Sequence, residues 1–327
     1  MASGKERVLR RRIKSVESTK KITRAMELIA ASRIVKAQQR VAAARPYSEQ
    51  ITNVIRSLAA AGAGGGNPLL AERDEVRNVA FVVLTADRGL AGGYNSSVLR
   101  AAERAIKAEQ AAGKGTVLVL VGKKAIAYFR FRGYTIDASF TGMSDSPTYE
   151  DARAVAAEVM TRFESGDVDR VELINTQFFS VGTQKVAHRR FVPIEQESVT
   201  EAPEGPRADY EYEPSAEGIL DRLLPRYAEA RLFAALLDSA ASEHAARQRA
   251  MKSATDNAEE VIKVLARQMN RARQESITTE IMEIVGGAEA LAAAASGDVD
   301  LLRDRIEDPD LFRHQVRHLD RRERQPN

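Results

Sequence analysis

The chain has 327 residues, a net charge of +3, no Cys and no Trp, and is long enough for a sizeable core and more than one structural unit. The missing Cys excludes a disulfide framework and a thiolate metal site, and fits a reducing, cytoplasmic setting. Few aromatics and abundant Ala point to long helices, while the longest apolar runs, "VLVLV" at 117–121 and "ALAAAA" at 290–295, fall far short of the ~18 residues of a membrane span. No apolar run follows the basic N-terminus, so no signal peptide is expected, and any service to a membrane would go through partners.

Residues 5–45 contain no Pro and no Gly and predict a helix of roughly 60 Å. Its apolar residues Ile13, Val16, Ile22, Met26 and Ile29 recur at helical spacing, which predicts a buried stripe. From Lys5 to Arg24 nine basic residues oppose Glu6 and Glu17, a local excess of 9 − 2 = 7 positive charges. Pro46 predicts a kink, and "IRSLAAAGAGGGNP" (55–68) predicts a Gly-rich linker.

The middle of the chain alternates strand-like and helix-like stretches. Strands are expected at 77–85, 115–122, 133–140, 169–178 and 184–194, and helices at 95–112, 123–132 and 148–165. Continuous apolar strands separated by helices predict a mostly parallel α/β sheet, with the final hairpin adding an antiparallel edge strand. A Pro-rich acidic connector, 201–218, follows. Residues 226–285 again lack Pro and Gly and predict a helix of roughly 90 Å. Ala254, Ala258, Val261, Leu265, Met269 and Ala272 mark a seam with a period near 3.5, the signature of a coiled coil.

The N-terminal helix is the expected partner of that seam. The fold expected is therefore α+β with an α/β foot: an antiparallel coiled coil of long N- and C-terminal helices, with an inserted Rossmann-like α/β domain. The segments run 1–60 (coiled-coil helix), 61–75 (linker), 76–200 (foot), 201–218 (connector), 219–291 (coiled-coil helix) and 292–327 (extension).

The candidates for chemistry read as structure. "TADRGLAGGYN" (85–95) sits where phosphate loops sit, but Gly89, Gly92 and Gly93 do not fit G-x-G-x-x-G, and no Walker sequence occurs. A tight strand-to-helix turn, with Asp87 as cap, is the expectation. His314 and His318 are spaced i, i+4 without a third ligand, and neither His188 nor His244 has a triad context. No catalytic, cofactor-binding or metal-ligating residue is expected. The basic helix itself admits a solvated face, contact with nucleic acid, or contact with an acidic protein surface that also accepts its apolar residues.

Three blocks together resemble one family. "RIKSVESTKKITRAMELIAASR" (12–33) resembles the N-terminal signature of the γ subunit of F-type ATP synthases, "TADRGLAGGYN" its S/T-D-x-G-L-C-G-x-x-N block, and residues 242–291 its C-terminal signature. The resemblance implies a central rotor stalk that catalyses nothing alone and carries ion-driven rotation of a membrane c-ring to catalytic β subunits. Its partners would be the α and β subunits, the ε subunit and the c-ring, with one copy per complex, no nucleic acid and no cofactor. Its place would be the cytoplasmic side of the cell membrane, peripheral and held through partners. Carried over by position, Lys20, Lys21, Arg24 and Met26 would face the acidic levers of the β subunits, and Arg273 and Gln274 a β-subunit loop. Asp87, Gly89, Gly92 and Asn95 would form the structural turn of the foot. Two departures stand out: Ala91 replaces the usual Cys, and residues 293–327 extend past the usual end. Two other functions stay open on the residues alone, a nucleic-acid-binding coiled-coil protein and a dinucleotide-dependent α/β enzyme.

Overall fold

The computed structural model describes residues 4–60, 67–73, 75–194, 212–213 and 215–295. The Gly-rich run at 61–66, the connector at 201–211, and the extension with His314 and His318 lie outside the described residues. The described elements, in chain order, are α1 (Gly4–Ala60), β1 (Asn78–Leu84), α2 (Tyr94–Ala111), β2 (Gly115–Val121), α3 (Lys123–Phe131), β3 (Ala138–Phe140), α4 (Tyr149–Glu164), β4 (Arg170–Phe178), β5 (Gln184–Val192) and α5 (Ala216–Ala295). Contacts divide the chain into two units. One spans Thr19–Ala258; the other brings α1 up to Ser18 together with α5 from Glu259 onward.

In the Thr19–Ala258 unit five strands form one sheet in the order β3-β2-β1-β4-β5. The β1–β2, β1–β4 and β2–β3 pairs are parallel, and β4–β5 is antiparallel. Both faces of β1 are covered, which is why it reads as an unbroken apolar run. Val79, Phe81 and Val83 pack with Leu118, Leu120 and Ile174 against Val98, Ala102 and Ile106 of α2 and Ala125 and Phe129 of α3. Ala80, Val82 and Leu84 face the other way, toward Val155 and Val159 of α4, Ile51 and Ile55 of α1, and Leu220 and Leu224 of α5. At roughly 1.5–3 kcal/mol per fully buried aliphatic or Phe side chain, this double layer is the principal apolar core of the unit.

The third strand is shorter than expected. Gly133 turns the chain at φ +77, and Asp137 meets Leu118 through its carboxylate, which accepts the Leu118 N–H at 2.7 Å, and its own amide, which donates to the Leu118 carbonyl at 3.0 Å, so regular strand pairing begins only at Ala138. Gly122 is required by space as well as by dihedral: at φ +95, a Cβ would lie 2.2 Å from the Thr85 carbonyl oxygen. A capping box between Thr148 and Asp151 starts α4.

Within this unit α1 and α5 run antiparallel. Thr23 and Thr255 share a buried hydrogen bond of 2.8 Å, while Ser48, Ile51 and Thr52 line one cavity with Tyr227, Ala230 and Ala234. Neither proline ends its helix. Pro46 lies inside α1 and Pro225 inside α5; the carbonyls left without donors belong to Ala42 and Asp221, both exposed residues, so water can satisfy them. The C-terminal helix accordingly starts at Ala216, ahead of the proline, and continues through Gly286 and Gly287.

The stripes differ in phase from the sequence expectation. Between Thr19 and Arg45 the buried positions of α1 are Thr23, Glu27, Ala30, Ile34 and Ala37, at steps of four and three. Met26 is half-buried, but Ile22 and Ile29 are 58% and 54% exposed. Each sits one residue before a seam position, so a seam of small and polar groups turns them outward. In the other unit Leu9 of α1 is buried, Ile13 and Val16 are half-buried, and Lys5 lies 3.9 Å from Glu275. There Ala272 is buried and Ile262, Leu265 and Met269 are half-buried, while Val261 is 44% exposed; Ile262 takes the position expected of Val261.

Candidate functional site

The outer face of α1 in the Thr19–Ala258 unit combines apolar and cationic groups. Ile22, Leu28, Ile29 and Val35 are large, aliphatic and more than half exposed, with exposed Ala25 and Ser32 between them. Lys21, Arg24 and Lys36 border them and are exposed; Lys20 is half-buried. Arg24 donates to both carboxylate oxygens of Glu27, at 3.0 and 2.9 Å, so its charge is partly met by its own helix. The face has no aromatic residue. The sequence reading missed its apolar part, because a helix with aliphatic residues all round does not declare which stripe is buried.

Arg273 and Gln274 lie on α5 in the other unit, both exposed. Beyond them Ile277, Ile281, Met282, Ile284, Val285 and Leu291 are all exposed. That is a second run of aliphatic surface with no cover from this chain among the described residues.

The turn at 85–95 is filled by the chain itself. One carboxylate oxygen of Asp87 accepts the Lys123 N–H at 3.1 Å, and the other accepts the Gly142 and Ser144 N–H groups at 2.8 and 3.4 Å. The amides that could cradle a phosphate meet an internal anion instead. Asn95 Oδ1 accepts the Ala86 N–H at 2.9 Å. Left-handed backbone falls at Leu90 (φ 61) and Gly92 (φ 54); Gly89 has no positive φ and serves through its carbonyl, which accepts from Arg247 at 3.3 Å. Ala91 is buried with Ala86 and Tyr94, against Ala246 of α5.

Behind this turn, α5 carries buried charge. Glu243 pairs with Arg247 at 2.5 Å, with side chains 1% and 9% exposed. Burial pushes the Glu243 carboxyl up, opposed by attraction to Arg247. Burial also raises the Tyr94 hydroxyl, helped by the Glu243 charge. His244 is held down by burial, against a hydrogen bond to the Asp145 backbone. These groups join helix to turn. No group of metal-ligating side chains occurs among the described residues. No helix among them is long and apolar enough to cross a membrane.

Two antiparallel terminal helices with a five-stranded α/β sheet inserted between them are the fold of rotary ATP synthase central stalks. Solved structures of mitochondrial ATP synthase share it: a chain of the Euglena gracilis OSCP/F1/c-ring structure at TM-score 0.59 and 16% identity, covering 89% of this chain and 96% of that one, and one of the Tetrahymena thermophila central stalk/c-ring structure at TM-score 0.53 and 22% identity, covering 71% and 99%. The ATP synthase family model matches residues 5–291. The ATP synthase gamma chain of Frankia casuarinae is 55% identical over 296 residues, 89% of this chain and 99% of that protein; that of Mycolicibacterium smegmatis is 49% identical over 302 residues, 88% and 98%. The chain belongs to the ATP synthase γ-chain family. Its role is that of the rotor shaft, and neither a nucleic-acid-binding protein nor a dinucleotide-dependent enzyme finds support.

Proposed function

We propose that this chain carries rotation between an ion-driven c-ring and the catalytic β subunits of an F-type ATP synthase, in either direction, without catalysing a step itself. It acts as one copy within an assembly of α, β and ε subunits and the c-ring, on the cytoplasmic side of the cell membrane, and is held there by those partners. The observation that carries this reading is the outer face of α1: Ile22, Leu28, Ile29 and Val35, rimmed by Lys21, Arg24 and Lys36.

A rotor must be attracted to its housing without being trapped by it. Deep aromatic anchors would trap it, since a few such residues dominate tight interfaces. A shallow aliphatic face gives non-directional attraction that slides. Exposed Lys and Arg add contacts worth about 0–1 kcal/mol each, which are remade as successive acidic levers pass. Lys20, Lys21, Arg24 and Met26 would meet the β levers, and Arg273 and Gln274 a β loop. Asp87, Gly89, Gly92 and Asn95 would keep the turn of the foot. The functional segments would be the helices at 1–60 and 219–291, the foot at 76–200, the links at 61–75 and 201–218, and the extension at 292–327.

Co-purification tests the reading. The chain should form a stable complex with α and β, and the complex should hydrolyse ATP faster than α and β without it. Failure to associate, or equal hydrolysis without the chain, would overturn it.

A further inference from the structure

The loop after β3, residues 142–148, is bound from three sides within the Thr19–Ala258 unit. From α1, the Arg33 guanidinium donates to both carboxylate oxygens of Asp145, and Arg40 donates to Ser146 Oγ at 2.6 Å and to the Pro147 carbonyl at 2.5 Å. From α5, the His244 ring lies with Nε2 3.1 Å from the Asp145 carbonyl, its side chain only 2% exposed. From the turn after β1, Asp87 accepts the Gly142 and Ser144 amides, and its own amide donates to Ser144 Oγ at 2.9 Å. The last residues of the loop then start α4 through the Thr148 capping box. At the next residue, the first of α4, the Tyr149 hydroxyl donates to Glu229 of α5 at 2.7 Å.

Apolar packing holds the sheet against the helices through close-packed side chains, but hydrophobic attraction by itself sets no direction. Charge-assisted and bidentate hydrogen bonds fix direction as well as distance, and a connected network resists displacement more than isolated pairs do. The loop is where such bonds converge from both long helices and from the sheet. We propose that residues 142–148 are a torsion-bearing clamp, in which Arg33, Arg40 and His244 act as positioning residues that lock the α/β sheet to both helices so that torque passes without slip. The clamp rests on the rotor reading. It adds to it a place where load is carried inside the chain, away from the outer face that meets the β levers.

Whole complexes reconstituted in vesicles, carrying Arg33→Ala, Asp145→Ala or the exchange Arg33→Asp with Asp145→Arg, test this. The readout is ions pumped per ATP hydrolysed, taken as the initial rate before a gradient forms and again as the opposing gradient rises, alongside hydrolysis by the complex of this chain with α and β alone. The single variants should pump at the wild-type ratio without a gradient and lose pumping as the gradient builds. The exchange should restore it, Arg33→Lys should give a partial loss, and hydrolysis without the c-ring should be unchanged. Wild-type pumping by the alanine variants at every gradient would overturn the clamp. So would loss of hydrolysis without the c-ring, or failure of both the exchange and Arg33→Lys to assemble, since either makes the loop a matter of folding or of β contact. If the wild-type chain itself fails to associate with α and β, the rotor reading falls first.

Discussion

The buried pair on α5 offers the sharpest test of the packing. Replacing Arg247 with Ala leaves the Glu243 carboxylate in a site where it is 1% exposed, with its cation gone. Breaking a buried pair from one side costs roughly 3–5 kcal/mol. At about 2–4 °C per kcal/mol for a unit of this size, the melting temperature should fall by roughly 6–20 °C. The loss should depend on pH in a defined sense. Glu243 already has a raised folded pKa, so its protonated form fits the fold, and removing Arg247 raises it further. The destabilisation is therefore greatest where the carboxyl is ionised and shrinks as pH falls toward the ordinary carboxyl range. Exchanging both partners for apolar residues, Glu243→Met with Arg247→Leu, should recover most of the stability, leaving a deficit of about 1 kcal/mol for the bond to the Gly89 carbonyl. Thermal unfolding of the purified chain, at neutral and mildly acidic pH, reads all three. An Arg247→Ala chain within about 1 kcal/mol of wild type at neutral pH, or a double variant no better than the single one, would refute the reasoning.

Gly122→Ala should lose more than about 3 kcal/mol of stability, because backbone strain and a clash with the Thr85 carbonyl add; Gly142→Ala, at φ +89 with nothing within 4 Å, should lose only about 1–2 kcal/mol, and urea midpoints compare them. Glu103 is held at about 2 by hydrogen bonds from Tyr128 and Arg132, against burial. Its contribution is present above the unfolded value of 4.5 and is lost as pH falls toward 2, so Glu103→Gln should flatten the acid limb of a stability–pH profile. Reversing charge at Lys20, Lys21 and Arg24 together should impair coupling more than assembly, read as ions pumped per ATP against yield of complex. Ile29→Gln should change the stability of the chain by no more than about 0.5 kcal/mol, as expected of an exposed site, yet weaken association with α and β in a pull-down titration.

The middle of the sequence is close to explicit about its sheet. The apolar run 79–84 has no polar face, so it must be covered on both sides, and the helices at 94–111 and 149–164 supply the cover. The long helices are legible as helices, and as a pair, from their length and 3.5-residue period. Their phase is not. Val261 stands beside Ile262, and Ile22 beside Thr23, so two registers fit the pattern equally; only the position of the partner helix decides, and it buries Thr23 against Thr255 and leaves Ile22 outside. Likewise Asp87 reads as a cap, but that it gathers the amides of Lys123 and Gly142 depends on backbone 36 and 55 residues away. His244 and Asp145 carry no local signature at all, because their meaning arises from a contact across 99 residues. Local periodicity and composition set which segments are helix or strand and how many faces each must hide. Which face is hidden, and which charges end up buried together, is settled by long-range packing, because a seam one residue out of phase costs nothing until a second helix arrives to meet it.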